Sequence, residues 1–146
     1  MAAVLALLLA SPLLATVWNR SKAMVQLPKG TGRVEVANAS YAARDWSVAL
    51  KALEIKEVSR PVGGTVTVVW VFHYTNTDKE PHYAALSVQC LDPRRVERAR
   101  FDTKVTLEAN RPDGGTVEVS AKLQQDTWAG SFFARVVIDF LSTKEG

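Results

Sequence analysis

An antiparallel all-β fold is what this 146-residue sequence predicts, on three observations. Apolar side chains alternate with period two along several segments, which is the pattern of strands with one buried face. Clusters of Pro, Gly, Asn and Asp separate those segments and favour reversals. Strand segments do not alternate with long helical ones, which weighs against a parallel α/β sheet.

Taken in order, Arg33 to Ala37 and Leu53 to Val58 are the first strand candidates, and Gly63-Gly64 separates the second from the next apolar segment. Trp46 to Ile55 also fits a helix, because Trp46, Leu50 and Leu53 make a helical stripe; the strand is preferred for Leu53 to Val58. Val66, Val68, Trp70, Phe72 and Tyr74 then alternate, as do Ala84, Leu86, Val88 and Cys90. The turn-forming run Asn76 to Pro81 joins them into an expected β-hairpin. Pairing Phe72 with Ala84, Trp70 with Leu86, Val68 with Val88 and Val66 with Cys90 makes one face wholly apolar, whereas a slip by one sets Trp70 against Ser87. Each such burial stabilises by roughly 1.5–3 kcal/mol, enough to choose the register. Val69 and Val71 fall on the other face, which would need cover.

A second hairpin is expected around Arg111-Pro112-Asp113-Gly114-Gly115, with Leu107 opposite Val119 and Val105 opposite Ala121. Phe132, Ala134, Val136, Ile138 and Phe140 form a last strand whose other face carries Arg135 and Asp139; the polar tail Ser142 to Gly146 is expected to fray. These six or seven strands suit an immunoglobulin-like sandwich after an N-terminal hydrophobic helix.

Length and a 47% hydrophobic content suit one domain, with residues 1–23 read as a signal peptide or membrane anchor and 24–146 as the sandwich. Met1 to Trp18 holds no charged side chain, and Arg20 and Lys22 come directly after it. As a signal it fits cleavage after Ala23, with Ser21 at the small-residue position, so that the mature chain starts at Met24 and is periplasmic or extracellular. As an anchor, 18 residues lie near the lower end of the roughly 17–25 that span a bilayer. The positive flank would then keep the C-terminal side cytoplasmic. No cysteine lies near the segment to carry a lipid.

The net charge of +3 would fall to +1 without Arg20 and Lys22, so the basic balance says little about partners. Arg94, Arg95, Arg98 and Arg100, with Lys104 close by, form one local basic segment that could meet phosphate, polysaccharide or lipid anions. Asp92, Glu97 and Asp102 are interleaved with it, and no aromatic-and-basic nucleic-acid motif accompanies it. Trp46 and Trp128 are candidate aromatic contacts for a sugar or partner, or caps on the core. Cys90 cannot form an internal disulfide and reads as a small core residue. In the expected hairpin His73 and His82 point to opposite faces, so they do not make a metal site. No nucleophile elbow, phosphate loop, zinc-protease pair or dinucleotide fingerprint occurs, so neither a catalytic residue nor a cofactor is assigned.

Tyr74-Thr75-Asn76-Thr77-Asp78, then Leu86 to Asp92, then Gly114-Gly115-Thr116-Val117 resemble exported bacterial sandwich modules of the FxLYD and DUF4352 type over about residues 64 to 141. The resemblance implies a non-enzymatic envelope domain whose partner is another protein or an envelope component, and implies no mechanism. Two function classes therefore stand: an exported binding or structural module, and an anion-binding protein or small enzyme using Arg94 to Lys104.

Overall fold

The computed structural model describes residues 17–141 and shows two antiparallel sheets packed face to face. Its strands are β1 (Val17–Gln26), β2 (Gly32–Glu35), β3 (Ser40–Ala42), β4 (Ser47–Val58), β5 (Thr65–Asn76), β6 (His82–Leu91), β7 (Glu97–Leu107), β8 (Arg111–Gln124) and β9 (Phe133–Leu141). One short helix, α1 (Gln125–Ala129), links β8 to β9. Sheet I runs β1-β9-β6-β7, and sheet II runs β2-β4-β5-β8 with β3 also paired to β4. The expected all-β, two-layer architecture is therefore present, with more strands than the six or seven read from the sequence.

The inward faces predicted for the two strands of the first hairpin are correct, but the predicted partners are not. Val66, Val68, Trp70, Phe72 and Tyr74 are all buried, and so are Ala84, Leu86, Val88 and Cys90. Yet β5 lies in sheet II and β6 in sheet I, so the pairing of Phe72 with Ala84 and its register do not occur. Phe72 instead pairs with Leu53 and Val117, while Ala84 pairs with Val105 and Phe140. The second hairpin fails in the same way: β7 is in sheet I, and Val119 and Ala121 of β8 pair with Trp70 and Val68. Alternation specifies which face of a strand is buried, and two apolar faces satisfy it equally well across a sandwich core or side by side.

The loops explain the choice. Asn76 is fully buried, and its amide donates to the carbonyls of Glu80 and Leu107 at 3.0 and 3.1 Å, tying the loop after β5 to the end of β7 in the opposite sheet. The reversal after β7 falls at Glu108 to Asn110, with Asn110 at φ 55°, and the run Arg111 to Gly115 read as a turn is the start of β8.

Trp46 to Ile55 is not helical; residues 47–58 are one strand. Register shifts between Leu50 and Ala52 and between Ile55 and Glu57 mark bulges, so the core residues Val48, Leu50, Leu53 and Ile55 are spaced two, three and two apart. That mixture of spacings is what imitates a helical stripe. On the outer face of sheet II, Val71 is buried between Glu54 and Glu118 in register. Lys56 of β4 pairs with Glu118 of β8, bridging β5 on this face.

Residues 17–23, grouped by the sequence with the N-terminal apolar segment, belong to β1, which pairs with β9 from Val17 to Gln26. The rest of that segment, residues 1–16, and the tail 142–146 lie outside the described residues, and with them the expected hydrophobic helix and the fraying end. No helix among the described residues is long and apolar enough to cross a membrane.

Candidate functional site

The register of sheet I arranges its solvent face in three cross-strand rows. Arg20, Asp139, Ala85 and Lys104 form the first; Lys22, Val137, Ser87 and Asp102 the second; Met24, Arg135, Gln89 and Arg100 the third. Successive rows are about 7 Å apart, and β1 lies about 14 Å from β7 across three strand spacings. The two central strands carry short side chains in the first two rows, whereas the edge strands mostly carry long charged ones. A depression of about 710 Å³ results, with Ala85, Ser87 and Val137 as floor and with Arg20, Lys22, Arg100 and Lys104 as walls.

Its charge is positive: those four cations face two acids, Asp102 and Asp139. Arg20 holds Asp139 bidentately, Nε and Nη2 donating to the two carboxylate oxygens at 2.7 and 2.9 Å. Arg100 donates to Glu97 Oε1 at 2.8 and 3.0 Å, and Arg135 donates to Gln89 Oε1 at 3.3 Å. Ser87 Oγ is enclosed in the floor and has no hydrogen-bond partner among the described residues. A cationic rim around a floor of small polar and apolar groups can hold an anion or a polyanionic chain.

The predicted arginines do not converge as a set: Arg94 and Arg98 line a separate depression with Asp92 and Asp126. Arg94 and Arg95 sit in the tight turn from β6 to β7, where Arg94 N–H and Val96 N–H donate to Asp92 Oδ1 at 2.9 and 3.0 Å. Arg95 takes φ 66°, and its guanidinium stacks 5.4 Å from the Phe133 ring centre. Arg98 reaches Asp92 Oδ2 at 2.9 Å. These bonds, first that from Val96 N–H and then those from Arg98 and Arg94 N–H, hold the Asp92 carboxyl below the usual carboxylate range. Arg94 and Arg95 therefore belong to a structural turn that Arg98 braces from the start of β7, and of the four only Arg100 lines the depression on sheet I.

Trp46 and Trp128 are partly buried and pack against the core. Trp128, brought by α1, meets Trp70 edge to face at 5.8 Å. Toward the other end of β5, Trp46 stacks on the His82 ring at 4.0 Å, and His82 Nε2 lies 2.7 Å from Asp78 Oδ2. That hydrogen bond is the main cause lowering the Asp78 carboxyl below its ordinary range. His73 is in sheet II and bonds Glu54 Oε1 at 2.7 Å. No group of three or more His, Cys, Asp or Glu among the described residues is arranged to hold a metal. Cys90 is fully buried, and burial pushes its thiol up to about 11.

Sequence reasoning missed Arg20, Lys22, Ser87 and Asp139 as site residues. The signal for the first two was present, since Arg20 and Lys22 alternate with the inward-facing Ser21 and Ala23, but it was absorbed into the flank of the apolar segment.

No family model matches the chain, and no curated protein matches it. Among solved structures it is similar to the Salmonella enterica trimeric lipoprotein SadB, at 12% identity and a TM-score of 0.42, covering 94% of this chain and 68% of that one.

Proposed function

We propose that the chain is a non-enzymatic, envelope-associated binding module that holds an anionic ligand on the solvent face of sheet I. The observation that carries this reading is the cross-strand array that sets Arg20 and Lys22 against Arg100 and Lys104 around a floor of short side chains. It moves the anion-binding role from the Arg94 to Arg100 run to a face assembled from both ends of the chain. An immunoglobulin-like topology is supported by the central pairs β4 with β5 in sheet II and β9 with β6 in sheet I, and by the chain crossing between sheets from β5 to β6, from β7 to β8 and from β8 to β9.

Export or anchoring through the N-terminal apolar segment is part of the same reading. Cleavage after Ala23 would remove residues 17–23 of β1, including Arg20 with its Asp139 ion pair and Lys22. The reading therefore ends the leader or anchor before Val17 and keeps β1 in the working protein.

The test is retention of the full chain on immobilised heparin and on polyphosphate as salt is raised. The substitutions Lys22→Ala and Arg100→Ala together are expected to move elution to lower salt, while Arg94→Ala, in the structural turn, leaves it in place. Identical elution of the native chain and the double variant would overturn the assignment of this face. A larger loss from Arg94→Ala would return the site to the turn.

A further inference from the structure

The second edge of β8 is unpaired among the described residues, and its sequence is complementary to itself. We infer that two copies of this chain associate by antiparallel pairing of β8 with β8 about a two-fold axis at Ser120. Residues Thr116 to Gln124 pair with β5 without a register shift, so this stretch is regular, and it contains neither proline nor glycine.

Register is set by two constraints. A two-fold axis normal to the sheet keeps each face on its own side, so facing residues must share parity and the axis must pass through a residue. An axis at Glu118 would face glutamate with glutamate, and one at Lys122 would face lysine with lysine. Axes at Val119 or Ala121 leave both charges opposite neutral residues. Only the axis at Ser120 sets Glu118 of each copy opposite Lys122 of the other, twice over.

The same axis improves the inner face. Val117 and Val119 are only half-buried at the edge of the core, and the pairing brings Leu123 and Ala121 of the second copy opposite them. On the outer face Glu118 already pairs with Lys56 of its own chain, and its carboxylate has two oxygens to share between the two lysines. The face of sheet I stays exposed on both copies, so this inference stands whether or not that face binds an anion.

The test is oxidation of the full chain carrying Ser120→Cys. The native Cys90 is fully buried and stays out of the reaction. Two cysteines facing each other across the axis lie within disulfide reach, whereas Glu118→Cys in both copies places the thiols four residues apart along the strands, about 13 Å. The expected result is a disulfide-linked dimer from Ser120→Cys and none from Glu118→Cys. Light scattering of the native chain should give twice the mass of one chain; Lys122→Glu should shift it to one, and Lys122→Arg should leave it at two. A native chain of single mass, or a dimer that Ser120→Cys fails to cross-link, overturns the inference.

Discussion

Gly115 on β8 lies opposite Tyr74 on β5, and an alanine there tests how firmly this end of the core is packed. A Cβ added at Gly115 would meet Tyr74 Cζ and Oη at 2.6 Å and Cε2 at 3.0 Å. The Gly115 backbone is outside the left-handed region, so alanine brings no conformational strain and the collision is the whole effect. The ring has little room to yield: Tyr74 is 3% exposed, its hydroxyl accepts the Glu108 N–H at 2.9 Å, and the void beside it is about 10 Å³. Overpacking of this kind costs about 1–3 kcal/mol, and breaking the bond to Glu108 adds about 0.5–1.5. Gly115→Ala should therefore lower the unfolding free energy by roughly 2–4 kcal/mol in urea titrations, with an unchanged denaturant slope. Tyr74→Leu will itself destabilise, but once the ring is gone the alanine should cost little, so the two changes should be strongly non-additive. A Gly115→Ala protein as stable as the native one, or a double variant whose losses simply add, would refute this account.

Two titratable groups give further expected outcomes. Asp92 is held ionised, first by the Val96 N–H and then by Arg98, so its folded pKa lies below its unfolded one. Its stabilisation is present above the unfolded value near 4 and is lost as pH falls through the folded value. Asp92→Asn should then be less stable than the native chain at pH 7, with the gap closing toward pH 3 in paired urea titrations; an equal gap at both pH values would contradict the ion-pair account. Cys90, with its thiol pushed up to about 11, should resist iodoacetamide at pH 8 in the folded chain and react once urea unfolds it, and rapid labelling of the folded chain would place Cys90 at the surface instead.

How far the sequence could be read depended on the range of the signal. Period two is local, and it identified the buried faces of β5 and β6 residue by residue and that of β9 from Ala134 to Phe140, while Phe132, expected on the same face, precedes the strand and is exposed. Where bulges interrupt it, as around Lys51 and Lys56 in β4, the segment Trp46 to Ile55 also fits a helix, although the strand is preferred for Leu53 to Val58. Partner choice is not local. Asn76 decides it by bonding Leu107, thirty-one positions away, and nothing in the run Asn76 to Pro81 distinguishes a loop that turns within a sheet from one that crosses to the other. Strand β1 was hidden for a different reason: its alternation begins directly after a long apolar segment, and the two signals merge.

The candidate site inherits that dependence on partner choice. Arg94, Arg95, Arg98 and Arg100 are close in sequence, and closeness suggested a cluster, but a tight turn needs its polar groups satisfied and Asp92 claims Arg98 while Phe133 takes Arg95. Consecutive same-face positions on one strand are about 7 Å apart along a single line, whereas a surface able to surround a ligand needs side chains from several neighbouring strands. Lys22 and Asp102 occupy the two ends of one row only because β9 and β6 lie between their strands, and that order is set by the crossing loops. Once the strand order of sheet I is known, Arg20, Lys22, Arg100 and Lys104 fall around Ser87 by parity alone. The binding face is therefore a property of topology, and a substitution that altered the crossing at Asn76 would disassemble it without touching any residue that lines it.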